Sequence, residues 1–294
     1  MAFIGTASFA VPSLLALHQA GRGVDLVVSQ PDRPGNRRRL TPPPVKLAAR
    51  NLGVEVFQPE RIRSPESIER LAALAPELIV VAAYGQIIPR ALLELPERGA
   101  LNVHASLLPR WRGAAPVAHA ILAGDGVTGA TIIRMDEQLD HGPILAGRAT
   151  EIRPWEDAVS LTERLAELGA DLLVDTIARL DEIEPREQDH SAATLAPRLQ
   201  RQDGELTWDL DAEDIDRRVR AFQPWPGVTL PLAGDRIKVL RGRPLSGAGT
   251  PGKVLRVGRD GVAVAAGRGS YLLEEVQPPG RRPMPAQVVA GHHG

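Results

Sequence analysis

The chain has 294 residues, 35 Lys and Arg against 36 Asp and Glu for a formal net charge of −1, and no cysteine. That length allows about two domains with a sizeable core, while the balanced charge excludes capture of a polyanion by the field of the whole molecule, so such a partner needs a local patch. Missing thiols exclude disulfides, a cysteine nucleophile, iron-sulfur clusters and thiolate zinc sites, and they suit a reducing cytoplasm.

Met1 leads straight into Ala2-Phe3-Ile4-Gly5 with no basic segment and long apolar core after it, and no run of about 18 apolar residues occurs. A soluble, cytoplasmic protein without a membrane partner is expected. Short apolar runs at 2–4, 26–29, 54–57, 78–83 and 100–103 predict strands, and 9–18, 45–51 and 67–74 carry the apolar spacing of surface helices. Strands alternating with helices predict an α/β fold with a mostly parallel sheet covered on both faces. Ligands bind beyond the carboxyl ends of the strands in such sheets.

Runs at 128–135 and 144–152 predict two more strands around the turn Leu139-Asp140-His141-Gly142-Pro143, which places Asp140 on a loop. From 157 to 180 the spacing of Leu161, Leu165, Leu168, Leu172 and Leu180 predicts a long amphipathic helix. Residues 184–204 are polar, proline-punctuated and aperiodic, as a linker would be, giving domains at 1–183 and 205–294. Beyond it Asp211 is expected to cap a helix whose Ile215, Val219 and Phe222 share a face. Runs at 228–232, 236–240, 253–257, 262–265 and 271–276, separated by Gly and Pro turns, predict a small β-barrel.

Residues 102–116 read NVHASLLPRWRGAAP, and the turn before them makes 100–103 a strand. Asn102 and His104 then point to one face of an extended chain. An Asn N–H can stabilise an oxygen that gathers negative charge, and an imidazole can move a proton or hold charge beside it. Asp140 could orient that imidazole. Taken singly, each has a plain structural reading: a hydrogen-bonded histidine, a turn-forming asparagine, a loop aspartate. Ser106 is rejected as a nucleophile, because the glycine-flanked elbow is missing and His104 is awkwardly placed two residues away. Gly5-Thr6 lacks the spacing of a dinucleotide fingerprint, and no metal-ligand pattern such as H-E-x-x-H occurs, so neither NAD nor a metal is expected.

Asn102-x-His104-x-Ser106-Leu107-Leu108-Pro109 with the later Asp140-x-Gly142 resembles the formyltransferases that use 10-formyltetrahydrofolate. The extension Arg110-Trp111-Arg112-Gly113-Ala114-Ala115-Pro116 is similar to the branch acting on initiator methionyl-tRNA. The likeness continues in Gly5-Thr6-Ala7-Ser8-Phe9-Ala10-Val11-Pro12, Gln30-Pro31-Asp32-Arg33-Pro34, Ala83-Tyr84-Gly85-Gln86-Ile87-Ile88-Pro89 and Arg220-Ala221-Phe222-Gln223-Pro224-Trp225-Pro226-Gly227. The resemblance implies an N-terminal Rossmann-like domain and a C-terminal OB-like barrel, and a monomer is expected. It makes Asn102, His104 and Asp140 the catalytic set. Ser106, Leu107, Leu108 and Pro109 would contact the folate, and Tyr84, Gly85, Ile87 and Ile88 would line its pterin pocket. Arg37, Arg38 and Arg39, otherwise an ordinary solvated loop, would meet the acceptor end of the tRNA. The barrel would extend that basic surface through Arg236, Lys238, Arg241, Arg243, Lys253, Arg256, Arg281 and Arg282. Sibling formyltransferases of sugar nucleotides or glycinamide ribonucleotide, a formyl-folate hydrolase and an RNA-binding protein without catalysis are the alternatives.

Overall fold

A computed structural model describes residues 1–34 and 40–290; Arg37, Arg38 and Arg39, and also His292 and His293, lie outside the described residues. In chain order the strands are β1 (Ala2–Gly5), β2 (Leu26–Val28), β3 (Arg33–Pro34), β4 (Leu40–Thr41), β5 (Glu55–Phe57), β6 (Ile79–Ala82), β7 (Ala100–His104), β8 (Arg112–Gly113), β9 (Val127–Arg134), β10 (Ile144–Glu151), β11 (Leu195–Ala196), β12 (Val228–Leu232), β13 (Asp235–Leu245), β14 (Val254–Gly258), β15 (Gly261–Ala265), β16 (Ser270–Gln277) and β17 (Met284–Pro285). The helices are α1 (Val11–Gln19), α2 (Pro44–Asn51), α3 (Pro65–Leu74), α4 (Arg90–Leu93), α5 (Pro116–Ala123), α6 (Ala158–Ala178), α7 (Ala212–Ala221) and α8 (Ala286–Ala290). Two compact units result, one of Met1–Pro116, Val127–Glu151 and Thr162–Pro197, the other of Val117–Gly126, Ile152–Leu161 and Arg198–Gly294.

The first unit is built on a seven-stranded sheet of order β10-β9-β7-β6-β1-β2-β5. The pairs from β7 to β5 are parallel, as helical crossovers require, and β9 and β10 add an antiparallel edge. Strands β1, β2, β6 and β7 are buried throughout, which explains why they read as continuous apolar runs. From Ala146 onward β10 alternates half-buried and exposed, as an edge strand does. On one face Ile4, Val28, Ile79 and Val81 pack in a cluster with Leu71 of α3 and Leu92 and Leu93 of α4. Phe3, Val27 and Val80, one residue out of phase, are equally buried on the opposite side. The start of α3 follows from its sequence: Pro65 occupies the first turn and the Ser64 hydroxyl accepts from Ser67 N.

Strand β7 runs past its parallel neighbour. Asn102 is the last of its residues opposite β6, and His104 is the last opposite β9. This overhang at the carboxyl end of the sheet positions the site.

Within the 184–204 stretch expected as an interdomain linker, residues 184–197 carry ordered pairings. Arg186 bridges Ile144, and β11 lies parallel to β8. The first unit therefore extends to Pro197, and the second takes over at Arg198.

In the second unit the antiparallel order is β12-β13-β16-β15-β14, with β17 on β16. The pairing of β13 with β16 shifts register between Val239 and Gly242, an irregularity of the kind that bends a long strand. Ile215, Val219 and Phe222 of the α7 segment are buried as their spacing predicts. Asp211 sits at the N-cap, but its side chain makes no capping bond; it pairs instead with Arg268 at 2.8 Å.

Candidate active site

Three side chains distant in sequence meet at the end of β7. Asp140 Oδ1 accepts from Asn102 Nδ2 at 3.1 Å, and its Oδ2 lies 3.5 Å from His104 Nδ1. Oδ2 also accepts from the Gly113 amide at 2.8 Å. Asn102 and His104 share a face because they alternate along β7, so the geometry follows from strand pleat and not from a turn. All three are largely shielded, with Asn102 9% and His104 5% exposed.

His104 Nε2 is 2.9 Å from the Trp111 carbonyl, an oxygen that can only accept. Both ring nitrogens therefore face acceptor oxygens. A neutral ring carries one N–H and satisfies one of them, whereas a ring that has taken up a second proton satisfies both. One N–H of Asn102 is engaged by Asp140, and the second has no partner among the described residues.

Gly113 is required where it stands. Its φ is +120°, and a Cβ there would lie 2.8 Å from the Ala196 carbonyl oxygen. Only glycine lets β8 approach β11 this closely while aiming its amide at Asp140.

The residues expected to hold a folate divide into buried anchors and exposed faces. Tyr84 and Ile88 belong to the core cluster, while Gly85 and Ile87 between them are exposed, Ile87 to 85%. Burial pushes the Tyr84 hydroxyl up to about 12, so it stays protonated. The Tyr84 carbonyl is tied down by the Thr6 hydroxyl at 2.9 Å and Gln30 Nε2 at 2.7 Å. Gln86 reaches back to Ile62 N and to the Glu60 carbonyl. The 84–89 loop is thus rooted at both ends and presents backbone and one apolar side chain outward, a fit for a flat heterocycle.

Leu108 is buried with Ile133 and Ile144, Ser106 is fully buried, and Leu107 and Pro109 are half-buried. The Ser106 hydroxyl donates to the Arg110 carbonyl at 2.6 Å, and Thr131 Oγ1 donates to the Ser106 carbonyl. What Ser106 can offer a ligand is the shape of this turn and not a free hydroxyl. Among the described residues no cluster of three His, Asp or Glu could hold a metal ion. No described helix is long and apolar enough to cross a membrane.

Several groups around Asp140 gave no signal in the sequence. Gln188, from the aperiodic stretch, donates to the Asp140 carbonyl; Thr194 Oγ1 accepts from Trp111 N; and the rings of His141 and His190 stack with centroids 3.9 Å apart. Their partners lie dozens of residues away, so spacing could not reveal them.

The chain matches the family described as Formyl transferase over residues 1–177 and the one described as Formyl transferase, C-terminal domain, over 198–293. It is 46% identical over 294 residues to methionyl-tRNA formyltransferase of Citrifermentans bemidjiense, covering 99% of this chain and 92% of that protein. The enzyme of the same name from Thermus thermophilus is 48% identical over 295 residues, covering 100% and 96%. In fold it is similar to HypX from Aquifex aeolicus, solved in complex with tetrahydrofolic acid, at 17% identity and a TM-score of 0.66, covering 99% of this chain and 47% of that one. With both halves matched and close relatives spanning nearly its whole length, the chain belongs to the formyl transferase family.

Proposed function

We propose that the protein transfers the formyl group of 10-formyltetrahydrofolate to the α-amino group of methionine on initiator tRNA, working as a monomer in the cytoplasm, where charged tRNA is found. The observation that carries the reading is the meeting of Asn102, His104 and Asp140 at one point, 3.1 Å and 3.5 Å from the shared carboxylate. Full-length relatives named for the same reaction support it.

A bound folate would supply the formyl carbon and leave as tetrahydrofolate once the bond from that carbon to the folate nitrogen has broken and that nitrogen has received the proton given up by the amine. The 84–89 loop and the turn from Ser106 to Pro109 would hold it. Asn102 offers its second N–H to the formyl oxygen as negative charge gathers there, an effect of about 10²- to 10³-fold for donors of this kind. His104 would manage proton and charge, holding positive charge beside the oxygen or, once a ring nitrogen leaves the acceptor it now faces, relaying the proton that the attacking amine must lose. Asp140 steadies both, through a hydrogen bond to the amide and its charge beside the ring. The methionine amine, with an ordinary pKa near 8, is in useful part unprotonated at neutral pH, so positioning and electrostatics carry more weight than base strength.

The decisive assay supplies labelled formyl-folate with charged initiator tRNA, charged elongator tRNA or small amines. Label should reach the initiator methionine; label on a sugar amine, or release of formate without any acceptor, would replace the reading. Asn102→Ala, His104→Ala and Asp140→Ala should each lower kcat by at least about 10²-fold while tRNA binding persists. Unchanged turnover in all three would end the assignment.

A further inference from the structure

Gln188 is 5% exposed, and its amide is engaged on both sides. Nε2 donates to the carbonyls of Asp140 at 2.9 Å and Gly142 at 2.7 Å, while Oε1 accepts from Arg112 Nε at 3.2 Å and Nη2 at 2.7 Å. These bonds allow the amide one orientation. Turned over, its N–H groups would face a guanidinium and its oxygen would face two carbonyls. The two carbonyls bracket His141, so the amide spans the turn that carries Asp140.

That turn needs support. Asp140 has φ +47°, a left-handed conformation that costs a side-chain-bearing residue energy and persists only where the surroundings enforce it. Strand β8 provides two holds on it. The Gly113 amide grips the carboxylate, and the neighbouring Arg112 side chain grips Gln188, which grips the backbone. Arg112 Nη2 also donates to His190 Nδ1 at 2.8 Å, and the His190 ring lies flat on that of His141.

We propose that Gln188 is a positioning residue which, by holding the Asp140 and Gly142 carbonyls, keeps the Asp140 carboxylate between Asn102 and His104. The inference rests on the formyl-transfer reading above. A carboxylate displaced by about 1 Å can cost about 10²-fold in rate without weakening substrate binding made elsewhere.

The test uses the full chain, 10-formyltetrahydrofolate and charged initiator tRNA. Gln188→Glu keeps the side chain's length and its partner Arg112, but sets an oxygen against two carbonyls. The expected result is a fall in kcat of about 10-fold or more, with KM for both substrates within about 2-fold. In an Asp140→Ala background, single-turnover rates should show no further loss on adding Gln188→Glu, because the effect runs through Asp140. A kcat close to wild type, or a loss that multiplies with that of Asp140→Ala, overturns the proposal. If Gln188→Glu does not fold, Gln188→Met, similar in volume, goes through the same cycle and is judged the same way. A wild-type protein inert toward charged tRNA sinks the formyl-transfer reading and takes this proposal with it. Active wild type with indifferent Gln188 variants sinks the positioning role alone.

Discussion

Two glycines on either side of Pro143 show how differently the same residue type can be constrained. At Gly142 a Cβ would lie 1.9 Å from the Arg134 carbonyl oxygen, an overlap with backbone that only movement of the turn can relieve. That movement would pull the Gly142 carbonyl from Gln188 and shift Asp140 with it. At Gly147 on the edge strand β10 the nearest atom would be 4.0 Å away. Gly142→Ala should therefore cost about 2 kcal/mol or more and lower turnover, whereas Gly147→Ala should stay within about 0.5 kcal/mol of wild type, because an exposed strand glycine gains little from its freedom. Thermal unfolding with turnover measured on the folded fraction checks both. Equal effects of the two substitutions would mean that the turn at Asp140 yields easily. At this scale the Asn102 and His104 pairing was legible in the sequence, since strand alternation alone puts them on one face. The reach of Asp140 to both was legible only through the family likeness, because a loop residue 36 or 38 positions away carries no geometric signal of its own.

Elements buried on both faces announce themselves. β1, β2, β6 and β7 each read as an apolar run and each is a strand, and the amphipathic pattern from 157 to 180 is the helix α6. The pieces that escaped are short or held by distant partners. β8 and β11 have two residues each and exist because they pair with each other across more than eighty positions, and α4 has a single turn. The polar stretch before Pro197 has no period because it is fastened by backbone bridges and by side chains such as Gln188, not by an apolar stripe. A similar polar fastening joins elements near the other candidate lining. Asp32, just after β2, accepts from Lys46 of α2 at 2.7 and 2.8 Å and from Gln58, just after β5, at 2.9 Å. The Gln58 amide and the Lys46 ammonium hold the Asp32 carboxyl below its ordinary 3.8. A carboxyl lowered in the folded state contributes stability above its unfolded value and loses it as pH falls through the folded one. Asp32→Asn should therefore be less stable than wild type at neutral pH, and the gap should close as pH is stepped to well under 3.8. Denaturant midpoints along that series decide it, and a gap that stays constant would show that the charge of Asp32 contributes nothing.

At the scale of the molecule, a net charge of −1 leaves no field to draw tRNA in, so affinity must come from chosen arginines. The C-terminal surface offers fewer free charges than its sequence suggests. Arg241 and Arg243 share Glu274, Arg256 pairs with Asp260, and Arg236 donates to the carbonyls of Leu206 and Thr229. Exposed pairs of this kind are worth little to stability, but each must open before its arginine can grip a phosphate. Arg37, Arg38 and Arg39, three cations in a row with no acidic residue between Arg33 and Arg50 in the sequence, are the arginines we propose for that role. Replacing all three with Ala should raise Kd for charged initiator tRNA and flatten the log-log dependence of affinity on salt by about 0.7 for each single-strand phosphate that an arginine no longer neutralises. Turnover at saturating tRNA should change far less, since Asn102, His104 and Asp140 are untouched. Filter-binding titrations across a range of salt give the slope directly. A slope identical to wild type would assign these three arginines to solvent and return the burden of tRNA capture to the C-terminal unit.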